Sequence, residues 1–497
     1  MAITILSASF TGMNSYIVSV EVDIFNGLPG FSIVGMGDTA IIESRERIRS
    51  SLKNIDVIFP AKKVIVNLSP ADIRKKGSQF DLSICTGILA NLGYIENMPR
   101  LEKYLILGEL SLNGDVKSCK GIINAVILAK NSNLEGIIIP YDNYREASLI
   151  KGIKIIPVKN LTDVFRFLNE GKYYTLKNTE PDSETYTDDI DFSDIKGQSH
   201  AKRAAEIAAA GGHNLFLIGD PGSGKSMIAK RMITILPHMH EEEIIETTRI
   251  YSIAGMLSPE FPVVSERPFR APHHTASTVS LVGGSTRPGE ISLALHGVLF
   301  LDELGEYPLK LLEVLRQPLE DGKITISRAD FSAIYPVNMI LITASNPTPS
   351  GYFPNDPRCT DTLRDIKRYV KKFSGPLLDR MDLYVELKKL SHMEILNMNN
   401  GEASADIKKR VLKARKIQYL RYNSIKLNKD MKKKDLEKYC RLDDEMLEFL
   451  TPVIEKFELS ARAYDKILKV ARTIADLDEA ENIQIRHLSE ALNYRKK

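Results

Sequence analysis

The stretch Gly219-Asp220-Pro221-Gly222-Ser223-Gly224-Lys225-Ser226 constrains this chain more than any other. It fits the pattern G-x-x-x-x-G-K-[ST], in which glycines let backbone N–H groups turn toward phosphate oxygens. The flanks fit as well. Asn214-Leu215-Phe216-Leu217-Ile218 reads as a buried strand. Met227 to Met232 has helical spacing, and Pro237 ends it. A strand, a glycine-rich turn and a helix N-terminus together attract phosphate, because unpaired N–H groups and the helix dipole face the same point. A chance glycine-rich turn would lack this context. The pattern predicts ATP binding across Gly219–Ser226, with Lys225 at the β- and γ-phosphates and Ser226 on Mg²⁺.

A second apolar run, Gly297-Val298-Leu299-Phe300-Leu301, ends in Asp302-Glu303. Alone, two carboxylates after a strand are usually the start of a solvated loop. Downstream of a P-loop they read as catalytic: Asp302 holds the Mg²⁺ shell with Ser226, and Glu303 activates the attacking water. That pair separates a hydrolase from a mere nucleotide binder.

The 497 residues allow two to four domains, and the net charge of +3 permits a nucleic-acid partner without arguing for one. Cys85, Cys119, Cys359 and Cys440 are scattered without disulfide or metal spacing, which suits a reducing cytoplasm. The segment Met1–Ser7 has no basic residue before its apolar ones, and no apolar run approaches membrane-spanning length. A soluble, cytoplasmic protein without a membrane partner is expected.

Four segments follow from the composition. Residues 1–175 alternate short strands with helices, as mixed α/β with antiparallel strands. They include a helix over Asp38–Ile55, a buried helix over Asp81–Leu92 and a strand over Leu105–Leu112. Residues 176–192 are acidic and polar, and read as a linker. Residues 193–391 carry the phosphate motifs, and residues 392–497 are helical and charged. Within the third segment, Ile195 is a candidate wall for the adenine ring. His273 and His274 are adjacent, lack ligand spacing and read as loop packing. The run Leu281–Ser292 is turn-rich and resembles an inserted hairpin in a helix of an ATPase core. Leu309–Leu319 reads as one helix. A hairpin pairs Lys323–Arg328 with Phe331–Tyr335, and its Lys323 and Arg328 either contact DNA in a pore or are merely solvated. Val337–Thr343 is a strand whose extension ends at Asn346, a candidate for holding the attacking water. Arg380, after a short helix, is the candidate finger for a neighbouring subunit. Arg462, at the start of a long amphipathic helix, is placed to reach back to the nucleotide.

Two resemblances add to this reading. Lys75–Asp81 and Gly108–Gly114 resemble the proteolytic domain of Lon. The family's serine position falls on Gln79 and its lysine position on Ile123, neither of which can serve as nucleophile or base. The resemblance implies a protease-like fold without protease activity, an assembly or DNA-contact platform; an unrelated α/β domain is the alternative. Over nearly the whole chain, the strings GGHNLFLIGDPGSGKS, RPFRAPHHTAS, PGEISLALHGVLFLDEL, SGPLLDRMD and LSARAYDKILKVARTIADL resemble the YifB/ComM family of magnesium-chelatase-like AAA+ proteins.

That resemblance implies an α/β fold: a P-loop AAA+ core, a Lon-protease-like (ribosomal S5 domain 2-like) α+β N-terminal domain and a helical C-terminal lid. It implies a ring, a hexamer, with ATP sites between subunits. Asn346 looks like sensor 1, Arg380 like the arginine finger and Arg462 like sensor 2, in cis or in trans. ComM-type relatives are implicated in branch migration of transforming DNA. A chelatase-like motor acting on a protein partner is the alternative, and a Lon-like protease is the reading that Gln79 and Ile123 oppose. Many relatives carry N-P-C-P-C-G followed by C-x-C. Here the first stretch reads Asn346-Pro347-Thr348-Pro349-Ser350-Gly351 and the second contains Arg358-Cys359-Thr360, so no zinc is expected.

Overall fold

The computed structural model describes residues 2–176, 190–284, 287–328, 331–373, 377–389 and 401–495. Most of the acidic stretch at 176–192 lies outside these residues, as does Ser374-Gly375-Pro376 before the candidate finger.

Alternating apolar residues build the first sheet. β1 (Ile3–Thr11) and β2 (Asn14–Phe25) form a hairpin, and Val18, Val20 and Val22 of β2 are all buried. β3 (Gly30–Val34) and β4 (Lys63–Ser69) extend one side; β5 (Tyr104–Ile106), β8 (Gly136–Pro140) and β9 (Lys154–Val158) extend the other. The order is β3-β4-β2-β1-β5-β8-β9. The sheet is mixed: β2 is antiparallel to β1 and β4, whereas β3–β4, β1–β5, β5–β8 and β8–β9 are parallel. The helix Asp81–Asn91 is buried along most of its length against β1 and β2. It packs closely at Gly87, where a Cβ would lie 2.5 Å from Val22 Cγ2. The single strand expected over Leu105–Leu112 is instead broken at Gly108. A side chain there would strike Leu82 and Val116, and the chain leaves β5 to form a short pair, β6 (Glu109–Leu110) with β7 (Val116–Lys117).

The second sheet is wholly parallel. It contains β10 (Leu215–Gly219), β11 (Phe269–Arg270), β12 (Val298–Leu301), β15 (Ile340–Ser345) and β16 (Leu383–Leu387), in the order β11-β12-β15-β10-β16. Every residue of β10, β12 and β15 is buried, as expected for strands covered on both faces. Leu215 and Leu217 pack into one core with the helices Ser199–Gly211, Lys225–Ile235 and Ala461–Leu477. Phe216 and Ile218 pack into the other with the helix Glu241–Ala254 and with Leu311, Leu312 and Leu315. Each fully buried aliphatic side chain of this kind contributes about 1.5–3 kcal/mol.

Two local expectations change. Leu309–Leu319 forms two short helices, Leu309–Val314 and Arg316–Asp321. Pro318 lacks an N–H and its ring abuts the carbonyl four residues back, which breaks the helix at Val314. The described part of Leu281–Ser292 is no strand hairpin. It holds the end of the helix Thr278–Val282, a single bridge from Gly283 to Pro288 and the helix Glu290–Leu293. The hairpin further on is present, as β13 (Lys323–Arg328) antiparallel to β14 (Phe331–Pro336).

The C-terminal helices Ser404–Tyr422, Ala461–Leu477 and Ile485–Asn493 continue the first core of the parallel sheet. The N-terminal sheet docks on the other side. Arg249 Nε donates to Asn124 Oδ1 at 2.8 Å, and Gly121 N donates to Ser252 Oγ at 3.0 Å. The β1–β2 turn reaches β14: a Cβ at Gly12, whose φ is +60°, would lie 2.8 Å from Ala333 Cβ. Among the described residues no helix is long and apolar enough to cross a membrane.

Candidate active site

The carboxyl ends of β10, β12 and β15 meet at one point, where parallel sheets bind ligands. Past β10 the chain makes its glycine-rich turn into the helix Lys225–Ile235. Gly222 and Gly224 have φ of +75° and +94° with open space around them, so backbone conformation alone demands glycine there. Lys225 Nζ donates to the carbonyls of Gly219 (2.5 Å) and Asp220 (3.0 Å) and to Asn346 Oδ1 (3.1 Å). Burial lowers the pKa of its ammonium, and the carboxylates of Asp302, Asp220 and Glu303 oppose that shift. Ser226 Oγ donates to Asp302 Oδ2 at 2.6 Å. A hydroxyl and a carboxylate side by side form the hard-oxygen pair that a Mg²⁺ ion takes from protein.

Glu303 follows in the left-handed region, at φ +51°, with its N–H bonded to Asp302 Oδ1. A non-glycine residue in that conformation is unusual, and such strain concentrates at functional sites. Its carboxylate is 57 % exposed and lies 3.4 Å from His274 Nδ1. His274 lies against His273, the rings 4.0 Å apart and tilted by 35°, and makes an edge contact with Tyr307, whose hydroxyl donates to Pro272 O. The histidine doublet therefore stands beside the acidic pair rather than being loop packing alone. The run Arg267-Pro268-Phe269-Arg270-Ala271-Pro272 leading into two adjacent histidines was the available signal.

Ile195 does not offer the wall expected of it. It is 3 % exposed, packed with Phe192 and Ala201 in the core, and so has almost no free surface for a ring. The neighbouring Gln198 does reach the loop, with Nε2 donating to Ser223 O at 3.3 Å.

Arg380 and Arg462 lie at the opposite end of the sheet. Arg380 O accepts from Asn214, and Asp382 Oδ2 accepts from Asn214 N, just before β10 begins. The five residues of β10 separate that point from the P-loop, roughly 16 Å at about 3.3 Å per residue. Arg462 is 74 % exposed and stands 3.6 Å from Glu320. Of the two readings left open for Arg462, this position suits action in trans. The first turns of its helix are pinned to this far end, where Lys466 bonds to Met381 O and pairs with Asp382. Lys323 is exposed at the base of the hairpin, and Arg328 closes β13 opposite Phe331.

Three sequence models match: "Magnesium chelatase, subunit ChlI" over residues 191–395, "Subunit ChlI of Mg-chelatase" over 20–143 and "Magnesium chelatase, subunit ChlI C-terminal" over 401–495. The chain is 42 % identical to competence protein ComM of Haemophilus influenzae, over 99 % of this chain and 97 % of that one. The YifB proteins of Salmonella typhimurium and Escherichia coli are each 41 % identical, over 97 % of this chain and 95 % of theirs. The chain belongs to the YifB/ComM-like magnesium-chelatase AAA+ family. It is accordingly an ATP-hydrolysing motor protein that uses ATP with Mg²⁺.

Within this family the departure at the cysteine cluster has a structural counterpart. Thr348, Ser350, Cys359 and Asp361 converge: Thr348 Oγ1 and Ser350 Oγ are 3.1 Å apart, Ser350 Oγ is 3.7 Å from Cys359 Sγ, and Ser350 N donates to Asp361 Oδ2 at 2.8 Å. Position 361 thus completes the group that the sequence comparison had left at Cys359. One thiol, one carboxylate and two hydroxyls hold the loop by hydrogen bonds, where four thiolates would hold it by metal. Among the described residues no group of three or more histidine, cysteine or acidic residues has metal-binding geometry. The same loop covers the P-loop, with Arg358 on Asp220 at 3.3 Å and Gly351 against Pro221. Nothing in the sequence singled out Arg358.

Proposed function

We propose that this family member assembles as a ring, a hexamer, that hydrolyses ATP at the seams between protomers and moves DNA. The observation that carries this reading is the separation of Arg380 and Arg462 from the P-loop of their own chain. Arginines at the far end of a five-residue strand from the P-loop, roughly 16 Å at about 3.3 Å per residue, are better placed for a neighbouring protomer's nucleotide than for their own. In each seam Lys225 and the P-loop N–H groups hold the phosphates, Asn346 and Glu303 orient the attacking water, and Glu303 takes its proton. Arg380 and Arg462 arrive from the neighbour to stabilise charge on the transferred phosphoryl group. Ser226 and Asp302 are the oxygens that would hold Mg²⁺, whose chemistry is to neutralise phosphate charge.

Our domain reading keeps residues 1–175 as a Lon-like platform without the dyad, 176–192 as linker, 193–391 as the AAA+ core and 392–497 as the helical lid. Ile123 is fully buried, Gln79 bonds to Lys76 O, and Ser78 bonds to Glu109 rather than to a lysine, which supports a platform without protease chemistry. Lys323 and Arg328, on a hairpin braced by that platform, are our candidates for tracking a DNA backbone. ATPase assays with forked and single-stranded DNA test the substrate. Stimulation that disappears in Lys323→Ala plus Arg328→Ala supports a DNA motor. The absence of stimulation by any DNA moves the reading to a chelatase-like motor acting on a protein.

A further inference from the structure

Glu320 stands near the end of the helix Arg316–Asp321, just before β13. Its carboxylate meets both arginines assigned above to the seam. One oxygen accepts from Arg380 at 2.5 Å, and the other lies 3.6 Å from the Arg462 guanidinium. The arginines come from different elements, the turn Leu378–Arg380 and the helix Ala461–Leu477. Lys466, one turn beyond Arg462, bonds to the carbonyls of Asp379 and Met381 and so ties that helix to the turn. Two guanidiniums brought together repel, and a carboxylate between them offsets the repulsion. The Arg380 fork is also not saturated. Its Nε is buried and has no hydrogen-bond partner among the described residues. A buried donor left unpaired is costly, so this side chain gains a bond by any shift that brings its Nε to an acceptor.

We infer that Glu320 is a positioning residue for ATP hydrolysis, holding Arg380 and Arg462 together so that one γ-phosphate of an adjacent protomer meets both. The inference rests on the seam reading above. Glu320 is 51 % exposed and Arg462 74 %, whereas Arg380 is 13 % exposed, so the Arg462 pair lies at the surface and the Arg380 pair at its edge. A pair with one solvated partner contributes little to folding, and Gln keeps the size and polarity of Glu320, so Glu320→Gln shows chiefly in rate.

The experiment measures steady-state ATPase and thermal unfolding of full-length Glu320→Gln, Glu320→Asp, Arg380→Ala and the double variant Glu320→Gln/Arg380→Ala. Glu320→Gln lowers kcat on the order of 10-fold, the scale of a small misplacement of a catalytic group. Its KM for ATP stays within about twofold, because ground-state binding is untouched. Its unfolding midpoint stays at the wild-type value. Glu320→Asp, which keeps the charge on a shorter stem, recovers part of the rate. In the Arg380→Ala background the Glu320→Gln loss is clearly smaller than in the wild type, since most of what Glu320 does runs through Arg380. Wild-type or faster turnover in Glu320→Gln while Arg380→Ala is slow overturns the role of Glu320 and leaves the seam standing. Losses that multiply in the double variant, or a Glu320→Gln loss accompanied by a lowered unfolding midpoint, also overturn it. Full turnover in Arg380→Ala removes the seam itself, and the inference with it.

Discussion

At the scale of single residues, the phosphate end of the parallel sheet divides its tasks between side chains on three strand ends. Lys225 and Ser226 follow β10, Asp302 and Glu303 follow β12, and Asn346 follows β15. Separate tasks predict separable defects. Glu303→Gln keeps the size of the side chain and loses the base, so ATP binding persists while kcat falls by ~100-fold or more. Equilibrium binding of a fluorescent nucleotide alongside phosphate release distinguishes the two. Turnover retained in that variant would remove Glu303 from the mechanism. Lys225→Ala fails one step earlier, in binding, because its ammonium carries the charge at the phosphates.

At the scale of elements, the seam between the N-terminal sheet and the helix Glu241–Ala254 contains a buried carboxyl. Burial pushes Glu146 up to about 7 from its ordinary 4.5, although Asn143, Ser252 and the backbone of Ile123 all supply hydrogen bonds that oppose the shift. Folding therefore favours the protonated form. The cost of ionising it is fully present above about 7 and is gone below 4.5, so stability falls as pH rises through that window. Glu146→Gln is predicted to raise the unfolding midpoint at pH 8, by as much as about 3 kcal/mol of stability, and to leave it unchanged near pH 4.5. Equal gains at both pH values would contradict this. A second brace is the β1–β2 turn. Gly12→Val forces a Cβ toward Ala333 from a left-handed backbone, and a loss of about 1–3 kcal/mol follows, read as a lowered midpoint. The strand ends that gather the phosphate motifs could be read from sequence, because each is a short, mostly apolar run leading into the polar residue that does the chemistry. Glu320 and Arg358 could not, because their importance lies in partners 60 and 138 positions away. Ile195 misled for a similar reason: an apolar residue ahead of a helix fits a ligand wall and a core equally well, and only packing decides. The break at Pro318 was visible in the sequence but was outweighed by four leucines at helical spacing.

For the whole molecule, the two ends of one parallel sheet carry the two halves of the proposed hydrolytic site. The phosphate cradle and Glu303 stand at one end, and Arg380, Arg462 and Glu320 at the other. In the proposed ring a head-to-tail contact between copies joins these halves, and repetition of that contact closes the assembly. The most direct test mixes two inactive variants, Arg380→Ala and Glu303→Gln, in equal amounts and follows ATP hydrolysis. Each variant alone is silent. In mixed rings about a quarter of the seams pair an intact Glu303 with an intact Arg380 from the neighbour. Hydrolysis recovered toward that fraction is the predicted result. A mixture that co-assembles yet stays silent, or a monomer that hydrolyses ATP at full rate, would contradict the account.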